Sequence, residues 1–543
     1  MKTISNSWSF TDFLDDNYIY IDKTENIYNL LKNEKKVFIS RPRRFGKSLT
    51  LDTIGTLFEN GVNPYFKDTW IYDKWTEPTY PVLRLDFLKC SVTDVDDFKN
   101  QFALILNRFA LKHKISEYVQ NSDPATALDN LLEGLKAEDK KVVILIDEYD
   151  RQLTANISKP DLYNKFSEIL HRIYAVLNNN NTSIKFLVVT GVTRLKDDAI
   201  FSVGTDIKDI SYYSEYSQLI GFTRDEIKHF YFEYLKLATA YENRICVDEV
   251  NDSLLNAMLD KIAYYYDGYC FDEMCNKTVL STWSVNNFFQ EVKSSGEVTF
   301  GDYWFENGGI PSILANYLKD HELKAFDYLD ENSTVTVSTN SFLNPTSLLN
   351  IDQNVLMCQT GYLTLRSSLS SGESKIDLGI PNREIYKALL QLISLNFFCD
   401  NVSIRNDKRE NILDCGNARD IIELFNKAIN TIAYDKFPIK SEHALESLIM
   451  LYLLGAGVDV CSESHSSKGR SDLKIERENR RIVIEFKFAK NEKEAKNKLK
   501  EAVEQIRNRD YGNTLPLKSD LLRIAAVYNS DPTVRKISDF ELV

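Results

Sequence analysis

Three small groups of residues in this 543-residue chain have the types and spacing to act on phosphate. The first is Gly46-Lys47-Ser48, inside VFISRPRRFGKSLTLD (residues 37–52). A glycine there lets main chain approach a phosphate, and the lysine reaches β- and γ-oxygens. The serine can hold Mg²⁺, and amides at the start of the next helix can face the anion. The second group is Asp147-Glu148, which closes the apolar run VVILI. In that place the aspartate joins the Mg²⁺ shell, and the glutamate acts as base or orienter of the attacking water. The third is Asp472 with Glu485-Phe486-Lys487, in SDLKIERENRRIVIEFK. Two carboxylates suit a hard divalent cation, and a lysine beside them can stabilise charge on a scissile phosphate or help orient water.

Each group has a second reading. Against G-x-x-x-x-G-K-[ST], the first glycine position falls on Arg41, so the residue that usually eases the turn out of the strand is missing. Arg41, Arg43 and Arg44 could instead add phosphate contacts, with Phe45 and Leu49 completing the loop around Gly46, Lys47 and Ser48. Asp147 and Glu148 could simply cap the next helix. Thr190 and Arg194 end a third apolar run, SIKFLVVTGVTRL, where they could sense a γ-phosphate. Arg194 could also serve as an arginine finger, or be a surface arginine. Glu485 and Lys487 could line the wet face of an amphipathic strand.

The elements that must position these groups follow from the apolar pattern. KVFIS, PVLRLDF, KKVVILIDEYD and SIKFLVVTGVTRL read as short buried strands, and KSLTLDTIGTLFEN as a helix ending near Gly61. Continuous apolar strands separated by helical stretches predict a parallel sheet covered on both faces. From about Gly221 the spacing turns helical, in TRDEIKHFYFEYLKLA and NDSLLNAMLDKIAYYYDGYCF, and residues 280–420 are mixed. The last segment reads as helix (about 441–454), strand near Val458–Cys461, loop SHSSKGRS, two strands joined by the turn ENR, a charged helix and a strand LLRIAAVYN, an αβββαβ order. Period-two alternation puts Glu485 and Lys487 on one face of their strand. Ala495, Leu499, Ala502, Val503 and Ile506 fall on one face of the charged helix.

YIDKTENIYNLL, ISRPRRFGKSLTLD, ILIDEYD and TGVTRL followed by IFS, in this order, resemble the bacterial and archaeal AAA-ATPase-like family over roughly residues 7–225. Members of that family read RPRRFGKS in place of the usual loop, which makes Arg41 the family's own version. YYDGYCF, STWSVNNFF, QTGYLTL and LGIPNREI resemble that family's middle region; no chemical role is assigned to them, and packing is the expectation. Residues 431–530 resemble the PD-(D/E)XK nuclease superfamily, and most closely the nuclease-like domain that follows such ATPase-like domains. That resemblance implies a further acid on the preceding helix, at Glu442 or one turn later at Glu446. It also implies a glutamine on the following helix, supplied by Gln505. Ser471 stands where the superfamily's name has proline, as is usual there.

The rest of the composition narrows the class. The net charge of −13 argues against whole-surface affinity for nucleic acid. Residues 431–543, however, carry 20 Lys and Arg against 18 Asp and Glu, about +2, which leaves about −15 for the remainder. The opening residues lack an apolar signal-type stretch, no run of about 18 apolar residues occurs, and the eight cysteines include no CxxC. No membrane partner, no zinc site and a reducing cytoplasmic location are therefore expected.

The expectation is an α/β protein with a P-loop NTPase domain over 1–225 and a mostly helical middle or lid region over 226–430. A restriction-endonuclease-like α/β domain follows over 431–543. ATP and Mg²⁺ would serve the first site. Mg²⁺ or Mn²⁺ would serve the second, through Glu442, Asp472 and Glu485 with Lys487. The partner would be nucleic acid, DNA before RNA, and a homo-oligomer stays open. The alternative is a nucleotide-dependent switch or effector whose nuclease-like module is inactive.

Overall fold

Four strands of the first half are buried along nearly their whole length, as strands covered on both faces must be: β1 (Lys36–Ser40), β2 (Val82–Asp86), β3 (Val142–Asp147) and β4 (Ile184–Gly191). With β5 (Lys208–Asp209) they form an all-parallel sheet in the order β2-β3-β4-β1-β5. The computed structural model describes residues 2–195, 206–306, 312–321, 328, 330–397, 407–432, 434, 438–455, 458, 460–466, 469–512 and 518–543. The IFS stretch named above (residues 200–202) lies outside them. The described chain groups into two compact units, residues 1–321 with 334–385, and residues 322–333 with 386–543.

Register brings the chemistry-bearing strand ends together in the first unit. Ile39 pairs with Thr190 and Ser40 with Gly191, while Ile146 pairs with Val189 and Asp86 with Asp147. The loop after β1, the acidic end of β3 and Thr190 therefore share the carboxyl edge of the sheet, where open parallel sheets form their ligand crevice. Gly46 caps helix Lys47–Asn60 at φ +97°, a conformation only glycine adopts without strain. The helical pattern after Gly221 resolves into helices Arg224–Phe230, Phe232–Asn243 and Asp252–Tyr266. The mixed stretch contains a small antiparallel sheet of β6 (Thr334–Ser338), β7 (Thr364–Leu365) and β8 (Lys375–Gly379), in the order β6-β8-β7.

The second unit holds helix Glu442–Gly455, then β9 (Val460–Ser466), β10 (Gly469–Glu476) and β11 (Arg480–Ala489) as antiparallel neighbours. Helix Glu492–Arg509 then crosses over to β12 (Asp520–Asn529), which lies parallel to β11. Its Ala502, Val503 and Ile506 pack on Val483 and Ala525, and Ala495 packs on Ala489 and Val527. Two readings change here. SHSSKGRS is not a loop: β9 and β10 run on until Ser466 pairs with Gly469, although residues 467–468 lie outside the described chain. The order gains a last strand, β13 (Lys536–Leu542), antiparallel to β12. KISDFEL is half polar, so no apolar run announces it.

Candidate functional sites

At the first site, five predicted residues come together. Ser48 Oγ donates to Asp147 Oδ2 at 2.5 Å, and Thr190 Oγ1 donates to Asp147 Oδ1 at 2.6 Å. Lys47 is buried. Its Nζ donates to the carbonyls of Arg41 and Pro42 at 3.0 and 3.1 Å and lies 3.6 Å from Glu148 Oε1. Burial raises the Glu148 carboxyl, the charges of Asp150 and Asp147 add to that, and Lys47 opposes it. Glu148 also sits at φ +52°, an uncommon conformation for a side-chain-bearing residue and one that recurs at functional sites. Neither acid caps the next helix, whose N-cap is Asp150. Asp150 instead binds the N–H and hydroxyl of Thr193, both at 2.6 Å.

A cavity of about 230 Å³ opens beside this cluster, lined by loop residues 43–50 and Glu148. Its other walls come from Ser5–Trp8, Ile19–Ile21, Leu219–Phe222 and Thr282–Trp283, none of which was predicted as a site residue. They lie far apart in sequence, so only the fold could assemble them.

The arginines and Phe45 are placed differently from one another. Arg43 is exposed at the cavity, and Leu49 also lines it. Arg41 is fully buried and donates to the carbonyls of Ser40 (2.8 Å) and Ser211 (2.6 Å), with Phe271 under its guanidinium at 4.1 Å. Arg44, at φ +71°, donates to the carbonyls of Tyr303 (2.6 Å) and Trp304 (3.0 Å). Phe45 is a core ring, edge-on to Tyr269 and Phe271. Arg194 pairs with Asp209 and donates to the Leu343 carbonyl at 2.8 Å.

These contacts give the four middle-region stretches a position. Tyr269 and Phe271 of YYDGYCF pack on Phe45 and Arg41. Thr282 and Trp283 of STWSVNNFF bind the Arg44 carbonyl at 2.9 and 3.3 Å. Gln359 of QTGYLTL binds the Arg194 carbonyl at 3.3 Å. Glu384 of LGIPNREI is fully buried and accepts from Ser284 Oγ (2.8 Å) and the Trp304 N–H (2.7 Å), beneath Arg44's own contact. Packing was the expectation for them, and YYDGYCF and STWSVNNFF pack directly on residues of RPRRFGKS.

At the second site, β11 carries Glu485 and Lys487 on one face, 2.9 Å apart from Oε1 to Nζ. Asp472 on β10 reaches over so that its Oδ2 accepts the Phe486 N–H at 2.7 Å. Glu442 opens its helix with Oε1 accepting the Phe488 N–H at 3.2 Å and Oε2 3.6 Å from Lys487 Nζ. Burial, and next the charge of Asp472, push the Glu485 carboxyl up to about 7 against the pull of Lys487. Glu485 Oε2 is buried with no hydrogen-bond partner. An unpartnered carboxylate oxygen beside a second carboxylate has the donor chemistry a hard cation takes. Among the described residues, however, no three His, Cys, Asp or Glu side chains close into a ligand set. Glu446, the other helix acid, is buried with His443 Nδ1 at 3.8 Å. Gln505 turns to Tyr511 Oη (3.1 Å), which Arg509 also binds (2.8 Å). Arg509's charge acts on Glu485 and Asp472. Arg509 and Tyr511 were missed, although they follow Gln505 within one short stretch, QIRNRDY.

Residues 6–201 match the model of a predicted AAA-ATPase family, and residues 440–537 match that of the PD-(D/E)XK nuclease superfamily. The chain therefore carries an ATPase-like P-loop domain and a PD-(D/E)XK nuclease-type domain, and its fold is α/β. It is 26% identical over 523 residues to an "uncharacterized protein in vnfD 5'region" of Azotobacter chroococcum mcd 1, covering 94% of this chain and 93% of that one. Among solved structures, Cdc6p of Pyrobaculum aerophilum aligns with 72% of this chain and 99% of its own, at 11% identity and a TM-score of 0.23. No helix among the described residues is long and apolar enough to cross a membrane.

Proposed function

We propose that this chain binds and hydrolyses Mg-ATP at its P-loop and uses that cycle to control a metal-dependent phosphodiesterase acting on nucleic acid, DNA in preference to RNA. Residues 1–225 would supply the nucleotide loop, 226–430 a mostly helical middle region, and 431–543 the phosphodiester chemistry. The observation that carries the reading is the contact cluster of Lys47, Ser48, Asp147, Glu148 and Thr190 beside a cavity.

The cluster assigns roles. Lys47 and the helix amides would meet the phosphates, and Ser48 with Asp147 would hold Mg²⁺. A Glu148 carboxyl raised by burial is a better proton acceptor than an exposed one, which suits a base for the attacking water. In the second site Asp472 and Glu485, with Glu442 near by, would hold Mg²⁺ or Mn²⁺, and a bound cation supplies a more acidic water and neutralises phosphate charge. Lys487, although half-buried, has its proton held by Glu485, Glu442 and Asp472. It would act as a fixed positive charge on the phosphate rather than as a base.

One observation favours the second reading, a nucleotide-dependent switch with an inactive nuclease-like module: no three-ligand metal set closes among the described residues. A Mg²⁺/Mn²⁺ cleavage assay with and without ATP separates the two. Cleavage by wild type that is lost in Asp472→Ala and Glu485→Ala supports the nuclease. Metal-independent inactivity alongside intact ATP binding supports the switch.

A further inference from the structure

Cys270 and Cys275 lie in the turn that follows the YYDG segment, and neither has a place in the chemistry above. Their sulfurs are 3.6 Å apart. Asp272 builds that turn. Its carboxylate accepts the N–H groups of Met274 (3.0 Å), Asn276 (3.0 Å) and Lys277 (3.1 Å) and the hydroxyl of Ser214. Its carbonyl accepts the Cys275 N–H at 2.8 Å. The fold thus folds Cys275 back over Cys270, with Cys275 at φ +58°. Cys270 is buried and Cys275 half-buried, and the Cys275 sulfur also lies 3.5 Å from the Leu365 carbonyl, so Cys275 is the more accessible of the two residues.

We infer that Cys270 and Cys275 are a reversible dithiol–disulfide pair, with Cys275 the nucleophile that attacks a peroxide and Cys270 the residue that closes the bridge. The sulfur–sulfur contact and its electrostatics support the assignment of roles. The Cys270 thiol donates to the Cys275 sulfur, and the Arg366 charge adds to this, bringing Cys275 down to about 7 against burial. The hydrogen bond and burial push Cys270 up, so it stays a thiol until its partner is oxidised.

The chemistry balances. The Cys275 thiolate attacks a peroxide oxygen; an S–O bond forms, the O–O bond breaks, and the leaving oxygen departs as water or alcohol after taking a proton. The Cys270 sulfur then attacks the Cys275 sulfur. An S–S bond forms, the S–O bond breaks, and the hydroxyl leaves as water with the Cys270 proton. Two electrons pass to the peroxide, and an external dithiol returns them.

Closing the 3.6 Å gap to the roughly 2 Å of a disulfide must shift the turn. Phe271 lies between the cysteines in sequence and touches both Phe45 and Arg41 of the nucleotide loop. Oxidation should therefore alter ATP affinity, a consequence that rests on the nucleotide reading, whereas the bridge itself does not.

The test treats the full chain with hydrogen peroxide, maps disulfides by peptide mass spectrometry, and titrates ATP into oxidised and dithiothreitol-reduced protein. A Cys270–Cys275 bridge reversed by dithiothreitol is expected. Iodoacetamide should label Cys275 ahead of the other cysteines at neutral pH, and Cys270→Ser should slow that labelling several-fold. ATP affinity should differ at least about threefold between the redox forms of wild type and not between those of Cys275→Ser. Failure to find the bridge, a bridge elsewhere, or Cys275 labelling that Cys270→Ser leaves unchanged overturns the pair. Bridge formation with unchanged ATP affinity overturns the coupling. If neither form binds ATP, the nucleotide reading fails and the mapping alone decides the pair.

Discussion

Ser48 and Asp147 stand 99 residues apart and share a 2.5 Å hydrogen bond at the carboxyl edge of the parallel sheet. The bond exists because β4 separates β1 from β3 and brings all three strand ends level. It fixes the two oxygens that Mg-ATP chemistry would need, and Lys47 Nζ lies 3.6 Å from Glu148 Oε1 beside them.

Lys47→Ala should weaken ATP binding by about 1.5–3 kcal/mol, roughly 10- to 150-fold, the range for a hydrogen bond to a charged group. Glu148→Gln should keep ATP binding and slow hydrolysis by about 100-fold or more. Calorimetric titration and phosphate release measure the two. Unchanged affinity in the lysine variant would remove the loop assignment.

Arg41 and Arg43 should behave oppositely although two residues apart. Arg41→Ala leaves the buried carbonyls of Ser40 and Ser211 without their donor and should cost at least about 1–3 kcal/mol of stability. Arg43→Ala, at an exposed position, should leave the urea midpoint unchanged and affect only ATP affinity. Equal midpoints for the two variants would contradict the burial described for Arg41.

Burial pushes Glu384 up to about 8 from an ordinary 4.5. Between those values the folded chain keeps a proton the unfolded chain has lost, so this carboxyl costs stability as pH rises through the window. Glu384→Gln should therefore gain on wild type between about pH 5 and 8, by at most about 4 kcal/mol. Thermal unfolding at both pH values is the measurement, and a difference of the opposite sign would mean the carboxyl is charged in the fold.

Tyr511→Phe removes the oxygen that both Gln505 and Arg509 bind. It should lower stability by only about 1 kcal/mol and reduce cleavage as Gln505→Ala does. A cleaving Tyr511→Phe beside a dead Gln505→Ala would show that the glutamine acts without this support.

Much of this was legible beforehand, because strands such as KVFIS and VVILI are apolar throughout and their polar ends mark where chemistry sits. Ser48, Asp147, Glu485 and Lys487 were readable for the same reason. Arg41 was not: a buried and a phosphate-facing arginine look alike in a sequence, and only the carbonyls of Ser40 and Ser211 distinguish them. The cavity walls at Trp8, Ile220 and Thr282 come from separate segments that no local pattern joins. Strand β13 was hidden because KISDFEL is half polar and takes its register from β12.

The support of Arg44 by Thr282, Trp283, Tyr303 and Trp304 limits how far the protein can be divided. A fragment ending at residue 225 would retain every letter of the nucleotide signature and lose the scaffolding that shapes it. Modularity in the sequence is therefore not modularity in the molecule, and a piece that keeps these contacts must extend past Trp304.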